Sequence, residues 1–153
     1  KQRATQNKYD STHYKVAACK IPIEKYNRFQ EYAVSRGKTV SALIEVNIGR
    51  EEAKSGILPG EAPEFLAQIA EMPSLSLRGM MVVAPICEEK AEVRKYFRES
   101  YRIFIDFFAK NTHNIKDPVL SMGMSDTFVE AIEEGATLVR VGSALFGARN
   151  YNL

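Results

Sequence analysis

Four short apolar runs, separated by stretches with helical spacing, constrain this chain more than any other feature of its sequence. The first covers 41–48, broken only by Glu45 and Asn47 and closed by Gly49. A turn-rich, charged loop spans 49–60, and Pro63 then opens a helix that places Leu66, Ile69 and Ala70 on one face before Pro73 stops it. The second run covers 77–85 and is interrupted by Arg78 and Gly79. Across 89–110, Val93, Phe97, Tyr101, Phe104 and Phe108 recur at spacings of four, four, three and four. That rhythm predicts one buried helical face. The third run is 119–124, and 126–134 reads as a short helix with Gly135 at its C′ position. The fourth is 137–141, followed at 142–147 by a turn or a short extra helix.

Strand–helix alternation of this kind predicts an α/β fold of parallel strands joined by right-handed crossovers. Parallel sheets are covered on both faces, which suits runs this continuously apolar. Two architectures compete, an open doubly wound sheet and a closed (β/α)₈ barrel. A complete barrel takes about 200–250 residues and eight strands. The 153 residues here hold four clear strands and a weaker run at 14–19. Length favours the open sheet; the residues at the strand ends favour the barrel.

Composition narrows the function classes. The 45% hydrophobic and 26% charged content fits an ordinary globular core, and excludes a disordered chain or a collagen-like fibre. No window of about 20 apolar residues supports a membrane span, and residues 1–8 lack the apolar centre of a signal peptide. Cys19 and Cys87 lie far apart outside any CxxC pair, and His13 and His113 are isolated, so a metal site has too few ligands. A reducing, cytoplasmic setting follows. The net charge of +2 conceals an asymmetry: residues 1–40 carry nine Lys/Arg against three Asp/Glu, the rest twelve against sixteen. We therefore separate a basic N-terminal segment, 1–37, from a strongly patterned unit, 38–153. Tyr26, Phe29, Tyr32 and Ala33 allow the segment an amphipathic turn or two. Scattered charge without a stacking array of aromatics makes nucleic acid a weak reading for it.

Polar residues gather at the ends of the last two strands. Ser125 stands just before a helix, where its hydroxyl caps that helix or helps hold an anion. Gly142 either makes a turn or lets backbone amides approach a ligand, with Ser143 adding a hydroxyl. Barrel proteins bind phosphate between the loops after their last two strands and a short extra helix, and these segments stand in that order. Arg140 lies inside an apolar strand, and a buried guanidinium needs an anion or oxygen acceptors.

Several stretches carry a resemblance. They are 43–49 with 52–56, Arg78-Gly79-Met80-Met81, the run 121–126, and 139–147. Over 38–151, about three quarters of the chain, the sequence resembles the C-terminal portion of the pyridoxal phosphate homeostasis proteins (YggS/PROSC-type), relatives of the alanine racemase N-terminal domain. The resemblance implies a parallel (β/α) barrel of that type, here about half of a TIM-like barrel. It also implies pyridoxal 5′-phosphate as cofactor, and a non-catalytic role in intracellular cofactor homeostasis.

Carried over residue by residue, Ser125 resembles the phosphate-binding serine, Gly142 and Ser143 complete the phosphate cup, and Arg140 resembles the arginine facing the pyridine nitrogen. Asn47 and Met80 line the same barrel mouth in this reading, Met80 mainly by packing. The family's Schiff-base lysine lies on the first barrel strand. Lys20, closing the apolar run Val16-Ala17-Ala18-Cys19, is the candidate, although it precedes Asn47 by only 27 positions. Two other functions stay open: a racemase-like fragment, which needs a second catalytic base, and an interaction module using the basic segment. Open barrel edges predict self-association.

Overall fold

The apolar runs pair side by side as one parallel sheet in the computed structural model, which describes residues 23–70, 72, 74–110, 115 and 117–147. Helix α1 (Ile23–Ser35) leads into β1 (Val40–Val46), α2 (Ala62–Ala70), β2 (Leu75–Val82), α3 (Lys90–Lys110), β3 (Val119–Met124), α4 (Phe128–Glu133), β4 (Leu138–Arg140) and α5 (Ser143–Phe146). The strands lie in sequence order β1-β2-β3-β4, and every pairing is parallel. That order decides between the two architectures. A doubly wound sheet reverses its strand order at a switch point, whereas a barrel adds each strand beside the last. The described residues wind as a barrel does, through four strands. The weaker run at 14–19 lies outside the described residues.

The core joins the sheet to its helices. Val46, Ile48, Leu66, Met80, Val82, Phe97, Leu120 and Met122 are fully buried in one apolar cluster. Each such side chain stabilises the fold by about 1.5–3 kcal/mol through apolar burial. The far end of α3 closes the cluster with three rings. Phe104 and Phe108 lie 4.8 Å apart between centroids, and Phe107 meets Phe108 edge-on at 5.0 Å. Tyr101 departs from the expected face and is exposed. Its ring lies over Gly135, where an added Cβ would come within 2.6 Å of it. Phe107, which the regular spacing passes over, is buried instead. The first run also ends earlier than its composition implies, because Asn47 turns the chain by accepting the Arg50 amide at 3.1 Å.

One irregularity sets the faces of the sheet. Register shifts between Ala42 and Leu43 of β1, which pair with Leu77 and Gly79, so Arg78 is an extra residue in β2. Gly79 follows with φ +146°, and a Cβ there would lie 1.9 Å from the Val119 carbonyl oxygen. No side chain fits between β2 and β3 at that point. Glycine is required.

Candidate functional site

All four strands point the same way, so their C-terminal ends share one edge of the sheet. Two loops meet there. The Ser125 hydroxyl oxygen, just past β3, accepts hydrogen bonds from the backbone amides of Gly142 and Ala144, each at 3.2 Å. Two accepted bonds use both lone pairs, and the hydroxyl proton is left to donate to an anion. Ser125 therefore caps α5 rather than its own helix. Thr127 is the N-cap of α4, and its hydroxyl accepts the Met124 amide at 3.1 Å. Gly142 has φ −119°, a conformation open to other residues, but a Cβ there would meet nothing within 4 Å. What glycine provides is open space in front of the amides. Ser143 begins α5 and is exposed beside that space.

Arg140 ends β4 and reaches across the sheet. Its Nη1 donates to the Ser121 carbonyl at 3.1 Å and the Ser121 hydroxyl at 2.8 Å, and its Nη2 donates to the Val82 carbonyl at 3.0 Å. One side chain thus ties β2, β3 and β4 together. Burial pushes the guanidinium below its usual pKa, and the charge of Glu45 on β1 opposes that shift. A guanidinium carries five N–H donors and stays protonated. Three are engaged, and among the described residues no acceptor meets the other two. Arg140 is thus a fixed cation held by neutral oxygens, with donors to spare.

The other expected site residues stand elsewhere. Asn47 turns its side chain into its own loop, donating from Nδ2 to the carbonyls of Glu51 (2.8 Å) and Lys54 (3.4 Å) and accepting the Glu51 amide at 3.2 Å. It closes the loop after β1, beside an open cleft of about 550 Å³ lined by Arg50, Glu51, Lys54 and Glu61. Met80 does not line the mouth. It is fully buried in the core cluster with the helix residues. The extra residue at Arg78 resets the alternation, which sequence parity alone does not reveal. Lys20 lies outside the described residues. The structure thus brings Ser125, Gly142, Ser143 and Arg140 to one edge, and adds Ser121, which sequence reasoning passed over as part of an apolar run. A hydroxyl directly between the two core positions Leu120 and Met122 was the available signal.

Sequential parallel strands, a helix-covered apolar face and polar side chains at the C-terminal strand ends define a (β/α)-barrel protein. A family model described as the N-terminal domain of alanine racemase matches residues 13–150, and the chain belongs to that family. It is similar to the pyridoxal phosphate homeostasis protein of Aquifex aeolicus (strain VF5), with 39% identity over 125 residues that cover 82% of this chain and 54% of the relative. The protein of the same name from Escherichia coli (strain K12) is 40% identical over 114 residues, covering 74% of this chain and 47% of the relative. Among solved structures, PipY of Synechococcus elongatus PCC7942 with PLP bound has a TM-score of 0.71 at 25% identity, over 88% of this chain and 62% of that one. The chain spans about half the length of the curated relatives it matches.

Proposed function

We propose that this chain binds pyridoxal 5′-phosphate by its phosphate and serves intracellular cofactor homeostasis without catalysing a reaction. The observation that carries this reading is the Ser125 hydroxyl bridging the Gly142 and Ala144 amides beside open space at Gly142. Ser125 would give its proton to the phosphate, Ser143 would add a second hydroxyl, and the Ser143 amide would face the anion, the other α5 amides being engaged by Ser125 and the Gly142 carbonyl. Arg140 would place its spare donors toward the ring nitrogen and keep that nitrogen unprotonated. When bound, the cofactor supplies an electrophilic aldehyde, and such an arginine weakens its ring as an electron sink. The names of the relatives and the ligand in the PipY structure support the same reading.

Competition tests it. Pyridoxal phosphate and inorganic phosphate should displace each other, and pyridoxal lacking the phosphate should bind far more weakly. Equal affinity for pyridoxal and its phosphate would overturn the reading. Borohydride reduction followed by peptide mapping reports where the aldehyde reacts. We expect Lys20→Ala to leave affinity nearly unchanged, and a reduced adduct on Lys20 would reverse that expectation.

The same reading carries a location and a partner. Among the described residues no helix is long and apolar enough to cross a membrane, and the free Cys87 thiol fits a cytoplasmic setting. Leu145 and Phe146 of α5 are 71% and 87% exposed, and Leu138 on the open edge strand β4 is exposed as well. We infer self-association through this side at micromolar concentration, read by gel filtration. A monomer at all concentrations would rule it out.

A further inference from the structure

We infer that Ser121 is a positioning residue for the Arg140 guanidinium, and through it for the ring end of the bound ligand. This inference rests on the phosphate-anchored reading above and names a residue of the same site. Three observations carry it. Ser121 is 1% exposed and sits in the middle of β3, where a hydroxyl costs stability unless it is used. Its hydroxyl oxygen accepts the shortest of the three bonds made by Arg140, 2.8 Å to Nη1, and its carbonyl accepts the other Nη1 proton. One residue therefore grips one guanidinium nitrogen by both protons. With Nη2 held by Val82 on the next strand, rotation of the planar group is blocked from two sides.

The consequence is directional. Arginine side chains are flexible, and a cation at a strand end ordinarily sweeps through many rotamers. Among the described residues, the grip on Nη1 leaves Nε and the second Nη2 proton as the unengaged donors, held in one orientation. Glu45, from β1 at the opposite edge of the sheet, is the charged group that acts on this guanidinium. It adds charge balance, whereas the Ser121 hydroxyl fixes direction. Ser125 lies four positions on, past the end of the same strand, and its hydroxyl serves α5. One strand thus delivers two hydroxyls to two tasks, phosphate at Ser125 and guanidinium orientation at Ser121.

The test compares wild type, Ser121→Ala and Ser121→Thr, the last retaining the hydroxyl. Pyridoxal phosphate affinity and the absorption band of the bound cofactor report the ring end. The inhibition constant of inorganic phosphate reports the cup. Ser121→Ala should weaken pyridoxal phosphate binding by about three- to tenfold, the range for losing one hydrogen bond. It should also shift the absorption band, leave the inorganic phosphate constant unchanged, and recover on going to Thr. In the ligand-free protein, nitrogen NMR should show faster exchange of the Arg140 Nε–H in Ser121→Ala than in wild type. Unchanged affinity, band and exchange in Ser121→Ala would overturn the inference. Equal loss of cofactor and phosphate binding would also overturn it, because the serine would then be supporting β3 alone. Failure of wild type to bind pyridoxal phosphate, with the Arg140 exchange still sensitive to Ser121, would overturn the functional reading and leave the positioning role standing.

Discussion

The two faces of the sheet follow different rules. Toward the helices, Met80, Val82, Leu120 and Met122 are sealed against Leu66, Val93 and Phe97, with no polar side chain needed to hold them. On the other face and at the strand ends, Ser121, Ser125, Asn47 and Arg140 are tied by hydrogen bonds to carbonyls, amides and one another. Apolar burial is non-directional and grows with the area removed from water, so the first region carries stability. Hydrogen bonds contribute little net free energy but demand alignment, so the second region carries specificity. The contrast separates two kinds of substitution.

The largest effect belongs on the helix side. Phe97→Ala removes a ring that is 1% exposed and should cost about 3–5 kcal/mol of unfolding free energy by urea titration. A loss under about 1 kcal/mol would mean that the core is loosely packed. Gly142→Val is the converse case. A side chain there meets nothing within 4 Å, so stability should hold within about 0.5 kcal/mol, while competition between phosphate and pyridoxal phosphate disappears. A fall in stability with binding intact would erase the contrast. Ser125→Ala should weaken the phosphate-bearing ligand by about 1.5–3 kcal/mol, as expected for a hydrogen bond to a charged group, measured by calorimetric titration.

The smallest effect comes from the ion pairs that tie α3 to α4. Arg98 grips Glu134 by two hydrogen bonds, 2.8 Å from Nε and 2.9 Å from Nη2, and Arg94 reaches both Glu133 and Glu134. The Arg98 hydrogen bond holds the Glu134 carboxyl below its usual pKa, and Arg94 adds to that against an opposing effect of burial. Glu130 is lowered too, first by its own backbone amide and then by Lys90. A carboxyl depressed in the folded state stabilises above its unfolded value. That contribution fades as pH falls through the ordinary glutamate range, about 4.3, toward the depressed value. Glu134→Gln should therefore flatten the stability profile below about pH 5. Because Arg98, the chief partner, is largely exposed, the change at neutral pH should stay within about 0.2–1 kcal/mol. An unchanged acid limb in chemical denaturation would show that these pairs are decorative.

Much of the helix side was legible in the sequence. The apolar run at 119–124 becomes β3 with the same ends, the run at 77–85 becomes β2 with its ends moved to 75 and 82, and the spacing of Val93, Phe97, Phe104 and Phe108 marks the buried face of α3 correctly. Tyr101 and Phe107 exchange roles because a helical period fixes a direction only to within one residue, and the partner surface chooses between neighbours. The strand-end side was legible in part. Ser125, Gly142 and Arg140 stand out because each is the wrong residue for an apolar context, and the structure places them at one edge.

Sequence alone determined the α/β alternation, most of the buried face of α3 and the family, since periodicity and local composition act within a few residues of each position. Tertiary structure decided that the sheet winds in sequential order, that Arg78 is an extra residue, and that Met80 faces the helices while Asn47 serves its own loop. It also decided that the Ser125 hydroxyl caps a helix seventeen residues away, and that Ser121 and Val82 share one guanidinium. Those outcomes depend on backbone carbonyls and amides from separate strands. Such groups are the same in every residue, so no pattern of side chains records where they meet.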